Sequence, residues 1–444
     1  MPSAKIVVNL APGFLKKNGS GFDFPIAAGI LAATKQIDDN IIKDFMLVGE
    51  LSLDGSIRLV PGILAYAIAA KKNNINLLSA DSSKESINLS GIEQWSITSI
   101  LDLKEQNLSP IKFHSLDFNE NIDIDFKDIA GHEVAKRALQ IAACGNHGVL
   151  FVGPPGSGKS MLASRMLSIL PELTEEEKLE TAVIHSIAGE NVSSILSGQR
   201  PFRSPHHSAS LAGLIGGGNP VRPGEVTLSH NGILYLDEIA EFSKHVIQGI
   251  RQPLESDQLT IIRADGAVTF PSKFSLIAAS NPCPCGYFGD SEHKCTCTPK
   301  QISNYQLRLG GPILDRIDMH IDVNRIDPKS VLSSGSGTSS KELKSEVLAG
   351  IKFRDIRLAN SADKLNNQKG KMESLISECN LNNEDFEYFA ELASKNNMSG
   401  RGIMRVLSVA RTIADLEQKE KVTRLHLCEA LTYRLRKYDS SLAF

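Results

Sequence analysis

An eight-residue stretch, Gly153-Pro154-Pro155-Gly156-Ser157-Gly158-Lys159-Ser160, limits what this chain can fold into more than any other part of it. It fits the pattern G-x-x-x-x-G-K-[ST], a loop whose backbone N–H groups wrap the phosphates of a nucleoside triphosphate. Residues 148–152 before it form a short apolar run that reads as a buried parallel strand. Residues 161–167 after it carry apolar side chains at helical spacing. Strand, glycine loop and helix thus follow in the order that phosphate binding requires. The glycines let amides turn inward on an anion, and the helix N-terminus adds partial positive charge. In such a loop Lys159 is expected at the β- and γ-phosphates of ATP, and Ser160 on Mg²⁺. A chance glycine-rich turn would not explain the Lys-Ser ending with both flanks in place.

Two further apolar runs end in polar residues suited to the same chemistry. Residues 233–236 read as a buried strand that closes on Asp237 and Glu238. In P-loop enzymes the first acid supports Mg²⁺. The second, Glu238, can polarise a water for attack on the γ-phosphate. Residues 274–280 form a third such run, ending at Asn281, whose plainer role is to cap the next turn. Ahead of it, residues 259–263 and 267–270 flank Asp265-Gly266 and read as a β-hairpin with Arg263 near its tip. Arg263 suits either a phosphate contact or plain solvation.

At 444 residues the chain is too long for one ordinary core, so two or three domains are expected. Its 41% hydrophobic and 22% charged residues are those of a globular protein. A net charge of −3 gives no global basic signature, so any nucleic-acid contact must come from local patches. No apolar run reaches transmembrane length and the start shows no leader pattern, so the reading is cytoplasmic, with no membrane partner. Seven cysteines, an odd number, do not suggest a disulfide framework. Four of them crowd together as Cys283, Cys285, Cys295 and Cys297. Four soft ligands on a short loop suit a structural tetrahedral Zn²⁺, although each pair is C-x-C and not the C-x-x-C of a knuckle. Adjacent His206 and His207 seldom share an ion without further ligands. A pore-facing loop or a plain surface loop fits them better.

The wording of residues 200–207, 214–225 and 228–232 closely resembles the magnesium-chelatase-like AAA+ ATPases, and among them the competence-associated DNA branch-migration helicases. The resemblance covers nearly the whole chain. It implies an α/β fold: an AAA+ P-loop core over residues 113–328 and a helical lid over 341–444, joined by a Ser/Gly-rich linker at 333–340. In the lid, residues 342–357, 381–394, 402–417 and 424–436 show helical periodicity. Residues 1–112, followed by a polar connection over 107–123, resemble a partial Lon-protease C-terminal domain of α+β type, chiefly at 49–58 and Pro61-Gly62. Strands at 6–10, 45–49 and 75–78 and helices at 24–33 and 63–71 are expected there. Where that protease fold carries its Ser-Lys dyad, this chain has Gly21-Phe22-Asp23 and Leu64, and Ser20 and Lys16 do not fit the pattern. No peptidase activity is expected. Because relatives carry another strand-rich segment upstream, the sequence reads as an N-terminally shortened version.

The same resemblance implies roles for single residues. Residues 125–132 would lie beside the adenine, and Asn281 would orient the attacking water. Arg316, with Arg308 in reserve, would be an arginine finger reaching the neighbouring subunit; an ion pair to Asp315 or Asp318 is the plainer reading. Arg401, with Arg405 as competitor, would touch the γ-phosphate, and Arg203 and His207 would face a substrate. A finger implies a homo-oligomeric ring, a hexamer by resemblance. The implied activity is Mg²⁺-dependent ATP hydrolysis driving branch migration on single-stranded or branched DNA, in recombination and natural transformation. A chelatase-type motor subunit, a protein-remodelling ATPase and a nucleotide-dependent scaffold are the alternatives. DNA binding that weakens with salt separates the first reading from the rest.

Overall fold

A computed structural model describes residues 5–10, 19–83, 85–113, 124–263, 266–290, 292–308, 311–326, 337–360 and 371–434. Lys16, residues 114–123 of the polar connection, the hairpin tip Ala264 and Asp265, residues 327–328 and 333–336, and the helix end at 435–436 lie outside them. Two compact units make up the chain. The first comprises Met1–Glu120, Leu173–Gln199 and Gly217–Pro223; the second comprises Asn121–Glu172, Arg200–Gly216 and Gly224–Phe444.

The first unit is α+β. Strands Phe45–Leu47, Asn76–Ser79, Gln94–Ser96 and Ser109–Pro110 pair in that order, the first three parallel and the last antiparallel. Asp54-Gly55 closes a small hairpin between Glu50–Leu51 and Ile57–Arg58, with Asp54 Oδ1 accepting from the Ser56 amide at 3.0 Å and hydroxyl at 2.7 Å. Helices Asp23–Ala33 and Ile63–Lys72 lie where helices at 24–33 and 63–71 are expected. The strand expected at 6–10 does not form. Alternation alone cannot hold a strand without a ladder partner, and these six residues from Lys5 are exposed, Val7 by 79%.

Leu64 is fully buried in an apolar cluster with Leu173, Ala182, Val192 and Ile195. Ser20 Oγ donates to Glu50 Oε2 at 2.5 Å. The cluster also explains why the first unit draws on a distant segment. Helix Glu175–Ala188, not read from the sequence, packs on helix Ile63–Lys72, and the Gly62 amide donates to Ser186 O at 2.8 Å. Its start carries a local signal, the capping box of Thr174 and Glu177. Part of the insert after the P-loop helix thus folds with the first unit.

The second unit is built on five strands: β1 (Val149–Val152), β2 (Phe202–Arg203), β3 (Ile233–Leu236), β4 (Ser275–Ser280) and β5 (Met319–Asp322). Their order is β5-β1-β4-β3-β2 and every pairing is parallel. Strands β1, β3 and β4 are buried at every residue, which explains their unbroken apolar runs. The α/β class expected from the sequence is therefore the observed one. Helices Glu133–Gly145, Lys159–Ile169, Ser340–Asn360 and Gly400–Leu416 bury Leu139, Leu162, Val347 and Ile413 in one core with Val149 and Phe151. Helix Lys371–Cys379 adds to the helices read from the sequence. The expected hairpin forms from Gln258–Arg263 and Gly266–Pro271, antiparallel, with Gly266 inside the second strand and opposite Arg263.

Candidate nucleotide site

Because the five strands are parallel, their carboxyl ends share one edge, where the chain order reverses beside β1. In open parallel sheets such an edge is the place for ligands. Register aligns the edge: Val152 lies opposite Ser280, and Leu236 opposite Ala278. The next residues along the chain are Gly153, Asn281 and Asp237.

The P-loop passes close to β5. A β-carbon at Gly153 would lie 2.0 Å from Val323 O, so only glycine fits there. Gly158 ends the loop at φ +87° and caps helix Lys159–Ile169, which aims its N-terminus at the loop. Lys159 Nζ donates to Gly153 O at 2.8 Å and Pro154 O at 2.9 Å, and reaches Asn281 Oδ1 at 3.4 Å. Burial lowers its pKa against the pull of Asp237 and Glu238. Ser160 Oγ donates to Asp237 Oδ2 at 3.1 Å and accepts from Tyr235 O–H at 3.0 Å. Ser157 Oγ is buried without a hydrogen-bond partner. A buried cation, an orphaned hydroxyl and a Ser–Asp pair form a donor set that fits a magnesium triphosphate.

Glu238 sits at φ +49°, an uncommon conformation for a side chain other than glycine. Its carboxylate is about half exposed, and Oε2 lies 4.0 Å from His207 Nδ1. His207 is carried there by the loop after β2, and its ring lies tilted against that of His206 with centroids 4.0 Å apart. His206 bonds Ser208 Oγ, so the pair does not converge on an ion. Arg203, expected with His207 to face a substrate, is engaged within the chain. Its guanidinium holds Glu225 through Nε at 2.7 Å and Nη2 at 2.9 Å. In the 125–132 segment, His132 approaches Gly158, and burial followed by the Lys136 charge lowers its pKa.

The arginines form a second group. Arg316 Nη2 meets Glu255 Oε1 at 2.7 Å with only 9% of its side chain exposed, and Arg401 Nη2 reaches the same oxygen at 3.3 Å while 60% exposed. The expected partners of Arg316 are engaged elsewhere: Asp318 with Arg405 at 2.8 Å, Asp315 with Arg434 at 3.8 Å. Arg405 is thereby an anchor for the lid helix, leaving Arg401 as the solvent-facing arginine of the two. Arg308, the reserve finger, pairs with Glu241 at 3.6 Å.

Three family models cover the chain: "Magnesium chelatase, subunit ChlI" over residues 125–331, "Subunit ChlI of Mg-chelatase" over 1–84 and "Magnesium chelatase, subunit ChlI C-terminal" over 337–434. Competence protein ComM of Haemophilus influenzae is 40% identical over 98% of this chain and 86% of its own length. YifB of Escherichia coli is 39% identical over 98% of this chain and 85% of its own length. The chain belongs to the ComM/YifB family of magnesium-chelatase-like AAA+ ATPases. A 67 kDa magnesium-chelatase subunit of Chlorobaculum parvum is more distant, 25% identical over 49% of this chain and 30% of its own.

In this ComM/YifB chain the four clustered cysteines follow Asn281. Cys283 Sγ lies 3.4 Å from Cys285 Sγ and 3.7 Å from Cys295 Sγ, and Cys285 Sγ lies 3.5 Å from Cys295 Sγ. All four sulfurs fall within 4.8 Å of one another, and no other such His/Cys/Asp/Glu group occurs among the described residues. Tetrahedral zinc with Zn–S of about 2.3 Å needs sulfurs about 3.8 Å apart. The donor set fits. Burial opposes ionisation of Cys285, but the amides of Tyr287 and Thr296 and the neighbouring Cys283 and Cys297 thiols outweigh it and bring its pKa down to about 5.

Sequence reasoning missed Glu255 and Arg325. Glu255 lies on the four-residue helix Pro253–Ser256 and carries no motif. Arg325 follows β5 and donates from Nη2 to Pro155 O at 3.2 Å. The short alternation of β5 was its only available signal.

Proposed function

We propose that this ComM/YifB-family chain hydrolyses ATP at the carboxyl edge of its sheet and uses the cycle to drive branch migration of DNA. The observation that carries the hydrolysis reading is the convergence of Lys159, Ser160, Asp237, Glu238 and Asn281. The P-loop amides and Lys159 would bind the triphosphate, with Lys159 exchanging loop carbonyls for phosphate oxygens. Ser160 and Asp237 would hold Mg²⁺, which when bound supplies charge neutralisation across the phosphates. Glu238 would take the proton of the attacking water, and Asn281 would orient that water. Arg316 would reach the nucleotide of the next subunit in a homo-hexameric ring, with Arg401 adding a second cation at the γ-phosphate. The four thiolates would hold a structural zinc.

Support for DNA as substrate comes from similarity to ComM over 98% of the chain. The projecting hairpin adds Arg263, with Ile262 beside it 80% exposed. A substituted dyad, with Leu64 in a core, supports a non-peptidase role for the first unit, and we read the chain as cytoplasmic. The test is ATP hydrolysis by the purified chain with and without single-stranded and branched DNA, beside Glu238→Gln. Stimulation by DNA, with loss of about 10²–10⁴-fold in the variant, supports the motor. Hydrolysis indifferent to DNA at low salt would remove DNA as the substrate and favour protein remodelling.

A further inference from the structure

Among the described residues, 281–298 contain no helix or strand. Loops of more than about 12–15 residues without secondary structure are uncommon in compact domains and need a reason to stay in place. This one has little core of its own: Cys283 is fully buried, whereas Pro284, Glu292, His293, Lys294, Thr296 and Thr298 are exposed. The meeting of the two C-x-C pairs closes it on itself, beside a Tyr287–His293 ring stack at 4.9 Å and a turn held by Asp290.

The same loop touches the nucleotide site at three places. Its first residue is Asn281, two positions before the buried Cys283. Gly286, one position after Cys285, lies at φ +85° against the P-loop, where a β-carbon would stand 2.7 Å from Pro155 Cδ. Arg325 donates to Pro155 O while it pairs with Asp290 at 3.2 Å and Glu292 at 3.3 Å of the loop and lies over the Tyr287 ring. The first two of these contacts are made by the loop itself, and in the third Arg325 ties Asp290 and Glu292 to the P-loop carbonyl.

We propose that Cys283, Cys285, Cys295 and Cys297 form a metal clamp on the ATPase centre: a soft divalent ion, zinc by its chemistry, holds Asn281 and Pro155 where hydrolysis needs them, so that turnover depends on metal occupancy. The inference rests on the nucleotide-site reading above. Without the ion the loop keeps the Arg325 and Gly286 contacts, the Tyr287–His293 stack and the Gln306 bond to Pro282 O, and Asn281 is fixed from its strand side alone. Nucleotide binding through Lys159 and the P-loop amides is less dependent on it.

The experiment uses the full chain. Metal content is measured by mass spectrometry, zinc is withdrawn with a chelator and then returned, and at each stage kcat, KM and fluorescent-nucleotide affinity are recorded. Hydrogen exchange of residues 154–158 and 281–298 and far-UV circular dichroism are read alongside. The expected result is about one zinc per chain and a kcat that falls roughly 10–100-fold on its removal. It returns with zinc, exchange rises in both segments, helix content is unchanged, and nucleotide affinity moves less than kcat. A Cys295→Ser/Cys297→Ser variant should lack the zinc and stay at the low kcat when zinc is added. Zinc present but kcat and P-loop exchange unchanged on its removal overturns the clamp and leaves the zinc reading standing. Absence of zinc from a fully active chain overturns both. A zinc-loaded chain that binds nucleotide yet never turns over overturns the nucleotide-site reading and the clamp with it.

Discussion

The carboxyl edge of the sheet and the Glu255 cluster are built from the same unit, yet they keep their charges in opposite ways. At the sheet edge, Lys159 leans on Asn281 and loop carbonyls, Ser160 on Asp237, and Glu238 stays half exposed beside His207. Around Glu255, one carboxylate serves two guanidinium groups, one nearly buried and one mostly in solvent. The first region has donors arranged around a place for phosphates. The second gathers two guanidinium groups on the single carboxylate of Glu255. The difference teaches where the proposed function asks for movement. The first group already surrounds its own phosphate site, whereas Arg316 and Arg401 would have to leave Glu255 to reach the nucleotide of a neighbouring subunit in the ring we propose.

The sharpest way to break this comparison is to remove the stored cation. Arg316→Ala should lower kcat by about 10³-fold, the lower end for an arginine finger, while nucleotide affinity measured by fluorescence stays within a few-fold. If affinity collapses instead, Arg316 supports its own fold or its own site.

A smaller effect is expected from the arginine that is anchored. Asp318 is buried, and although burial opposes its charge, the hydrogen bond and charge of His147, then Arg405, hold its pKa below the ordinary carboxylate value. Its contribution to stability is therefore present above about pH 4 and is lost as pH falls toward the depressed folded value. Asp318→Asn should destabilise the chain by about 3 kcal/mol at neutral pH, kept at the low end because a third of Arg405 remains in water. Its acid-unfolding curve should also be flatter below pH 4. Denaturant titrations across pH check both, and an unchanged acid limb would remove Asp318 as the anchor.

Glu255→Gln should have the least effect and the opposite sign to Arg316→Ala. It weakens the hold on both arginines without removing either, so ATP hydrolysis at low salt should change by no more than a few-fold, upward. The gain comes from ion pairs that are partly exposed and worth about 1 kcal/mol or less each. A large loss would mean that Glu255 positions Arg316 productively.

How much of this was legible in the sequence followed the range of each interaction. The P-loop, Asp237–Glu238 and Asn281 each sit at the end of a fully buried strand, so a local apolar run announced both the strand and its polar terminus. The two hairpins, at Asp54-Gly55 and between Gln258–Arg263 and Gly266–Pro271, were legible from another local signal, an Asp-Gly pair between short strands that are only partly buried. Arg316 and Glu255 are joined across sixty residues of chain by tertiary packing, and no spacing rule connects them. The cysteines stood between these cases. Their C-x-C spacing spoke against a knuckle, yet two such pairs facing one another bring the four sulfurs together. Residues 6–10 failed in the other direction, because an alternating pattern names a strand but not the partner that would pair with it.

The central claim, a site shared between subunits, is tested most directly by mixing two inactive variants. Lys159→Ala removes phosphate binding from its own site, and Arg316→Ala removes the finger offered to the next. Each alone should hydrolyse almost no ATP. Combined under conditions that exchange subunits, some interfaces pair an intact Lys159 with an intact Arg316, and the account expects hydrolysis to return in the mixture. A mixture as inactive as its components, with subunit exchange verified by differential labelling, would contradict it.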